Sequence, residues 1–288
     1  MPLIGKVQRV RQTIGIRGHT RRGRECCILS SCPADAYPEA NRRVVDIGDT
    51  APVRRRYRRP ASYYREIVFG LRVEPFIAVQ HPARFEHTLV ASPPWAWSDV
   101  VEGWSWSGFE GKPIRVEVYA DAEEVELLLN GQSLGSAPVG IKKPLVANFE
   151  VAYSSGELIA VAKRGGAEIS RTSIVSATGA SQLSVLTDSA SLAADGQDVA
   201  HIDISVRDAS GTLFNLANDE ITVEVSGAGV LAGLGSSNPS TETRFDSSVV
   251  SAFDGRALAI VRATGAGEIL VTVSTVAHGS KTLSIIAA

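Results

Sequence analysis

Among the 288 residues, a few groupings have chemistry to offer. Glu123, Glu124 and Glu126 form a carboxylate cluster, and paired carboxyl groups can serve as general acid and base. The strand alternation around them accounts for all three as solvated charge. His81, His87, His201 and His278 are scattered. None pairs at metal-ligand spacing, and His201 falls on the outward face of a strand. Cys26, Cys27 and Cys32 with His19 lack the second pair that a zinc site requires. Ser98-Asp99 lacks the Gly-x-Ser-x-Gly elbow of a nucleophile. Gly227-Ala228-Gly229 lies between strands, with no helix to present amides to a phosphate. The expectation is therefore no catalytic residue, no metal and no cofactor.

Trp95, Trp97, Trp104 and Trp106 are the sharper candidate. Flat indole faces stack on sugar rings, so this cluster could form a carbohydrate platform. The competing reading buries Trp104 and Trp106 as caps on a core, because Trp is largely buried on average and its N–H finds a partner.

The elements that must position these residues are strands. Ile114, Val116 and Val118 alternate with Arg115, Glu117 and Tyr119; Val125, Leu127 and Leu129 repeat the pattern, a period of two with one apolar face. Asn130-Gly131 then gives the type I′ hairpin signal, since both central residues need positive φ. Residues 146–152, 158–163 and 168–176 complete about five strands of a first sandwich. Ala177 to Ser181 (ATGAS) reads as a linker. Beyond it, Ile202, Ile204 and Val206, then Ile221, Val223 and Val225, open a second sandwich of about seven strands. The fold class is all-β: two Ig-like antiparallel sandwiches in tandem, preceded by a short helix and an irregular segment. The domains read as 1–59, 60–72, 73–177, a linker at 178–181, and 182–288.

Residues 59–70 read as a helix, with Pro60 in its first turn and Gly70 as its C-cap. A free helix of this kind would expose Tyr, Ile and Phe, so it must pack on the next domain or lower solubility. Residues 73–101 are irregular and Pro-punctuated, with short strands at Ile77–Val79 and 99–101.

The totals are those of a globular chain, 44% hydrophobic and 21% charged. No apolar run approaches the roughly 18 residues of a membrane span, and no apolar signal core stands at the N-terminus. Residues 1–59 hold 13 Arg and one Lys against five acids, while the remainder is net acidic. Arg54-Arg55-Arg56 and Arg58-Arg59 would suit a basic arm. The excess of Arg over Lys instead suggests GC-rich DNA translated out of frame, ahead of a truncated enzyme. Neither nucleic acid nor membrane is an expected partner, and all three cysteines fall in this segment, leaving the compartment open.

One stretch carries a resemblance. Trp104, Trp106, Gly108, then Glu110-Gly111-Lys112-Pro113, then Glu124-Val125-Glu126-Leu127, Leu129-Asn130-Gly131 and Ser133-Leu134-Gly135 resemble the small β domain that follows the catalytic barrel in glycoside hydrolase family 2 enzymes, chiefly β-galactosidases. A looser likeness runs from about Arg59 to the C-terminus, and the last part resembles the family's final, adhesin-like Ig domain. The resemblance makes 60–72 the last barrel helix. It implies a parent that is a retaining glycosidase, whose two catalytic Glu residues lie in the barrel and match nothing here. The chain should then be a non-catalytic, structural C-terminal portion, inactive alone. Its expected partners are the rest of the parent enzyme, a partner subunit, or carbohydrate. A carbohydrate-binding module using the Trp cluster and an adhesin-like Ig spacer are the alternatives.

Overall fold

A computed structural model describes residues 58–86 and 97–288. Cys26, Cys27, Cys32, His19, Arg54-Arg55-Arg56, His87 and Trp95 lie outside the described residues.

The described chain opens with α1 (Pro60–Val68), which begins on proline and ends in a Schellman motif. Gly70, at φ 66°, supplies the left-handed residue; Leu71 N–H donates to Glu66 O at 2.7 Å and Gly70 N–H to Ile67 O at 3.0 Å. The free helical carbonyls are thereby satisfied. Strands β1 (Phe76–Gln80), β2 (Val100–Val101), β3 (Pro113–Tyr119), β4 (Glu124–Leu129), β5 (Gln132–Pro138), β6 (Val146–Ala152), β7 (Glu157–Arg164) and β8 (Ala167–Val175) follow. They form two sheets, in order β2-β1-β3-β6 and β5-β4-β7-β8. This sandwich therefore has eight strands: the two short ones expected near 77–79 and 99–101, and six from Pro113 onward against the five expected there. β5 escapes that reading because QSLGSAP is exposed almost throughout and takes its strand form from pairing with β4.

The alternation decides what the first core contains. Ile77, Val79, Ile114, Val116, Val118, Val125, Leu127 and Leu158 point between the sheets and are buried together with Trp104 and Trp106. A smaller cluster lies on the opposite side of one sheet: Phe76, Ala78 and Tyr119 pack under Ile67, Val100 and Val146, with Tyr63 and Tyr64 against them. Tyr63 stacks on Phe76 at a 4.0 Å centroid distance. The helix thus finds its cover on the first sandwich, which is why β1 is apolar on both faces.

The hairpin turn adopts the expected signs, with Asn130 at φ 51° and Gly131 at φ 81°. Asn130 has a second task. Its Oδ1 accepts from Glu157 N–H at 2.9 Å and its Nδ2 donates to Ser155 O at 3.1 Å, tying the hairpin to the β6–β7 turn.

The second sandwich holds β9 (Gln182–Thr187), β10 (Ser191–Leu192), β11 (Val199–Arg207), β12 (Glu220–Gly227), β13 (Gly229–Gly235), β14 (Val249–Ser251), β15 (Arg256–Ala263), β16 (Gly267–Thr275) and β17 (Gly279–Ala287). Its sheets run β10-β17-β16-β12-β14 and β13-β15-β11-β9. Ladders are antiparallel except β10 with β17, which is parallel. Ile202, Ile204, Ile221, Val223, Val271 and Val273 fill its core. Among the described residues no helix is long and apolar enough to cross a membrane.

The two sandwiches are joined by buried polar groups. Asn215, 1% exposed, reaches from the second into the first: its Nδ2 donates to Glu102 O at 3.0 Å and its Oδ1 accepts from Ser105 N–H at 3.2 Å. Gly103 lies beneath at φ 128°, where a Cβ would come within 2.3 Å of Asn215 Oδ1. Leu216 packs against the first core. The start of residues 177–181 is pinned to both sandwiches, for Ala177 N–H donates to Ser105 Oγ at 2.8 Å and Thr178 N–H to Asp208 Oδ2 at 2.9 Å.

Candidate functional site

The tryptophans come first, as the sequence's sharpest candidates. Trp104 and Trp106 are both fully buried. Trp104 Nε1 donates to Ser154 O at 3.0 Å, and its ring meets Tyr153 edge-on. Trp106 lies edge-on to His81, and its Nε1 has no hydrogen-bond acceptor among the described residues. A stacking platform needs an open indole face, and neither residue has one: both are buried in the core with residues of β3, β4 and β7. Trp97 is half-buried on the other side of the sheet. Its Nε1 donates to the Tyr119 hydroxyl at 3.0 Å, Tyr64 packs against its ring and Lys143 lies over it. Three of the four expected residues are thus split between two hydrophobic clusters and form no common surface.

The acidic cluster resolves into cross-strand pairs. Glu126 accepts from Lys163 Nζ at 2.6 Å and from Ser133 Oγ at 2.7 Å; those two bonds, Lys163 first, hold its carboxyl below the usual range. Glu123 accepts from Gly165 N–H at 2.8 Å. His201 is more enclosed than an outward strand position implies, with Nδ1 2.9 Å from Asp188 Oδ2. Burial, then the nearby Arg84, lowers the pKa of His81. No group of three or more His, Cys, Asp or Glu among the described residues is placed to hold a metal.

The joint brings together residues that the sequence keeps far apart. A cleft of about 500 Å³ opens between the sandwiches, walled by Glu110, Ser107 and Tyr153 from the first and by Phe214, Asp219 and His278 from the second. His278 Nε2 lies 3.3 Å from Asp219 Oδ1, and its side chain is 9% exposed. Glu110 Oε2 accepts the Gly108 N–H at 2.8 Å. The turn after β16 delivers His278, and the loop into β12 delivers Asp219. Sequence reading placed His278 among isolated histidines because its partner stands 59 positions earlier. No local signal could have joined them.

The class of chain follows from these elements and from what they match. Residues 183–284 match the family described as glycoside hydrolase family 2 C-terminal domain 5, and residues 111–170 match a domain of unknown function, DUF4982. Residues 183–284 are therefore similar to the C-terminal domain of glycoside hydrolase family 2 proteins. Among individual relatives, the β-galactosidase BoGH2A of Bacteroides ovatus is 29% identical over 167 residues, which is 56% of this chain and 19% of that protein. A solved family 2 glycosyl hydrolase from Bacteroides cellulosilyticus is 30% identical with a TM-score of 0.71, over 80% of this chain and 30% of its own. A family 2 β-glucuronidase structure, 19% identical with a TM-score of 0.63 over 79% of this chain and 21% of its own, shares the fold. The chain spans about a fifth of the length of the curated relatives it matches.

Proposed function

We propose that the described residues are the accessory, non-catalytic end of a β-galactosidase-like enzyme, a rigid pair of sandwiches that braces a catalytic domain. The observation that supports this is α1. One side of the helix is fixed on β1 and β3 through Tyr63, Tyr64 and Ile67. Its C-terminal end and the segment after it leave Val68, Phe69, Leu71 and Val73 open, with Phe69 67% and Val73 73% exposed. Apolar side chains grouped in this way suit a protein surface, and the family likeness makes a barrel the natural occupant. The polar joint gives such a brace a fixed angle.

The test is activity of the purified 288-residue chain on chromogenic β-galactoside and β-glucuronide. The expected result is no turnover above buffer. Turnover that disappears in Glu110→Gln or Asp219→Asn would overturn the reading and place chemistry in the cleft between the sandwiches.

A further inference from the structure

We propose that the cleft between the two sandwiches binds a small neutral sugar, a hexose or hexoside. The ligand class is read from what the walls contain. Glu110 and Asp219 contribute carboxylates, Ser107 and Ser181 contribute hydroxyls, His278 contributes an imidazole, and no Lys or Arg among the described residues lines the space. Such walls offer many acceptors to a ligand rich in O–H donors. They offer no fixed cation to a carboxylate or phosphate, so anionic ligands are repelled. The ring of Phe214 adds an apolar surface for the C–H face of a sugar ring. A cleft of about 500 Å³ falls within the ordinary range for small-molecule sites, which concentrate at domain boundaries. It has room for one or two hexose rings.

Two features make this a formed site rather than an incidental gap. Asp219 and His278 orient each other across 3.3 Å, as polar groups in a ligand pocket must be fixed before the ligand arrives. The two walls are also held in register by Asn215 and by the backbone bonds of Ala177 and Thr178. Little ordering is left for binding to impose. The inference does not depend on the accessory reading, since binding is measured without turnover.

The experiment is saturation-transfer NMR on the 288-residue chain with methyl β-galactoside, methyl β-glucoside and glucuronate, each titrated to saturation. At least one neutral glycoside is expected to bind with a Kd on the order of 1 mM, and glucuronate at least about tenfold more weakly. Glu110→Gln with Asp219→Asn should weaken the neutral sugar about tenfold, roughly the loss of one charge-assisted hydrogen bond. Ser181→Trp, at an exposed position on the rim, fills the opening without touching either core and should abolish binding while the melting temperature holds. The proposal is overturned if no neutral sugar saturates the wild-type chain, if glucuronate binds equally well, or if Ser181→Trp binds as tightly as wild type.

Discussion

Asp208 is 2% exposed, and its carboxylate accepts four hydrogen bonds at the start of the β11–β12 connection. They come from Thr178 N–H at 2.9 Å, Ser210 N–H at 2.9 Å, Ser210 Oγ at 2.7 Å and Thr212 N–H at 2.8 Å. Burial by itself would raise its pKa, but these donors outweigh burial and hold it down to about 2. A carboxylate depressed in the folded state contributes stability above its unfolded pKa of about 3.9. That contribution is lost as pH falls from about 4 through about 2. Asp208→Asn keeps the shape but trades an acceptor for a donor facing N–H groups. It should cost about 1–3 kcal/mol at pH 7 and flatten the pH dependence between pH 4 and pH 2, as measured by urea unfolding at each pH. A wild-type slope retained in the variant would show that Asp208 is not the titrating group. Its run, Asp-Ala-Ser-Gly, is legible in sequence as a turn, but the Thr178 bond that ties it to the preceding sandwich is not.

At the scale of elements, legibility follows how local the cause is. The turn at Asn130-Gly131 can be read because positive φ is a property of the residues themselves. The helix from Pro60 can be read because its first-turn proline and Gly70 cap are local too. β5 and the two-residue β10 could not be, since both are strands only by virtue of their partners β4 and β17. Tyr119 continues the alternation of β3 on paper, yet it is buried from the far side because α1 lies there. The fate of Trp104 and Trp106 depended likewise on which sheet closed over them. Gly131 provides the test at this scale. Nothing lies within 4 Å of where its Cβ would stand, so Gly131→Val charges only for the positive φ. The expected loss is about 1–2 kcal/mol in chemical denaturation, with the β-sheet circular dichroism of the native state unchanged. A neutral result would mean the turn relaxes to another type.

At the scale of the molecule, Asn215 decides whether the two sandwiches behave as one body or two. Its amide joins Glu102 and Ser105 to the second sandwich, with Gly103 left bare to admit it. Asn215→Ala strands a buried N–H of Ser105 and a half-buried C=O of Glu102, the first costly without water. The wild-type chain should unfold from residue 58 onward in a single calorimetric transition, and the variant should show two, with the earlier shifted down by several degrees. A single unshifted transition in the variant would show that the apolar contact of Leu216 suffices.

The placement of the aromatic residues gives this comparison an optical handle. Every tryptophan and tyrosine of the chain precedes residue 154, and Trp104 and Trp106 are buried in the core of the first sandwich. Intrinsic emission therefore reports chiefly on the first sandwich and its face toward the joint, whereas far-ultraviolet ellipticity sums over both. Superimposable fluorescence and ellipticity melts would mark mechanical unity, and their separation would time the parting of the two halves without any added label.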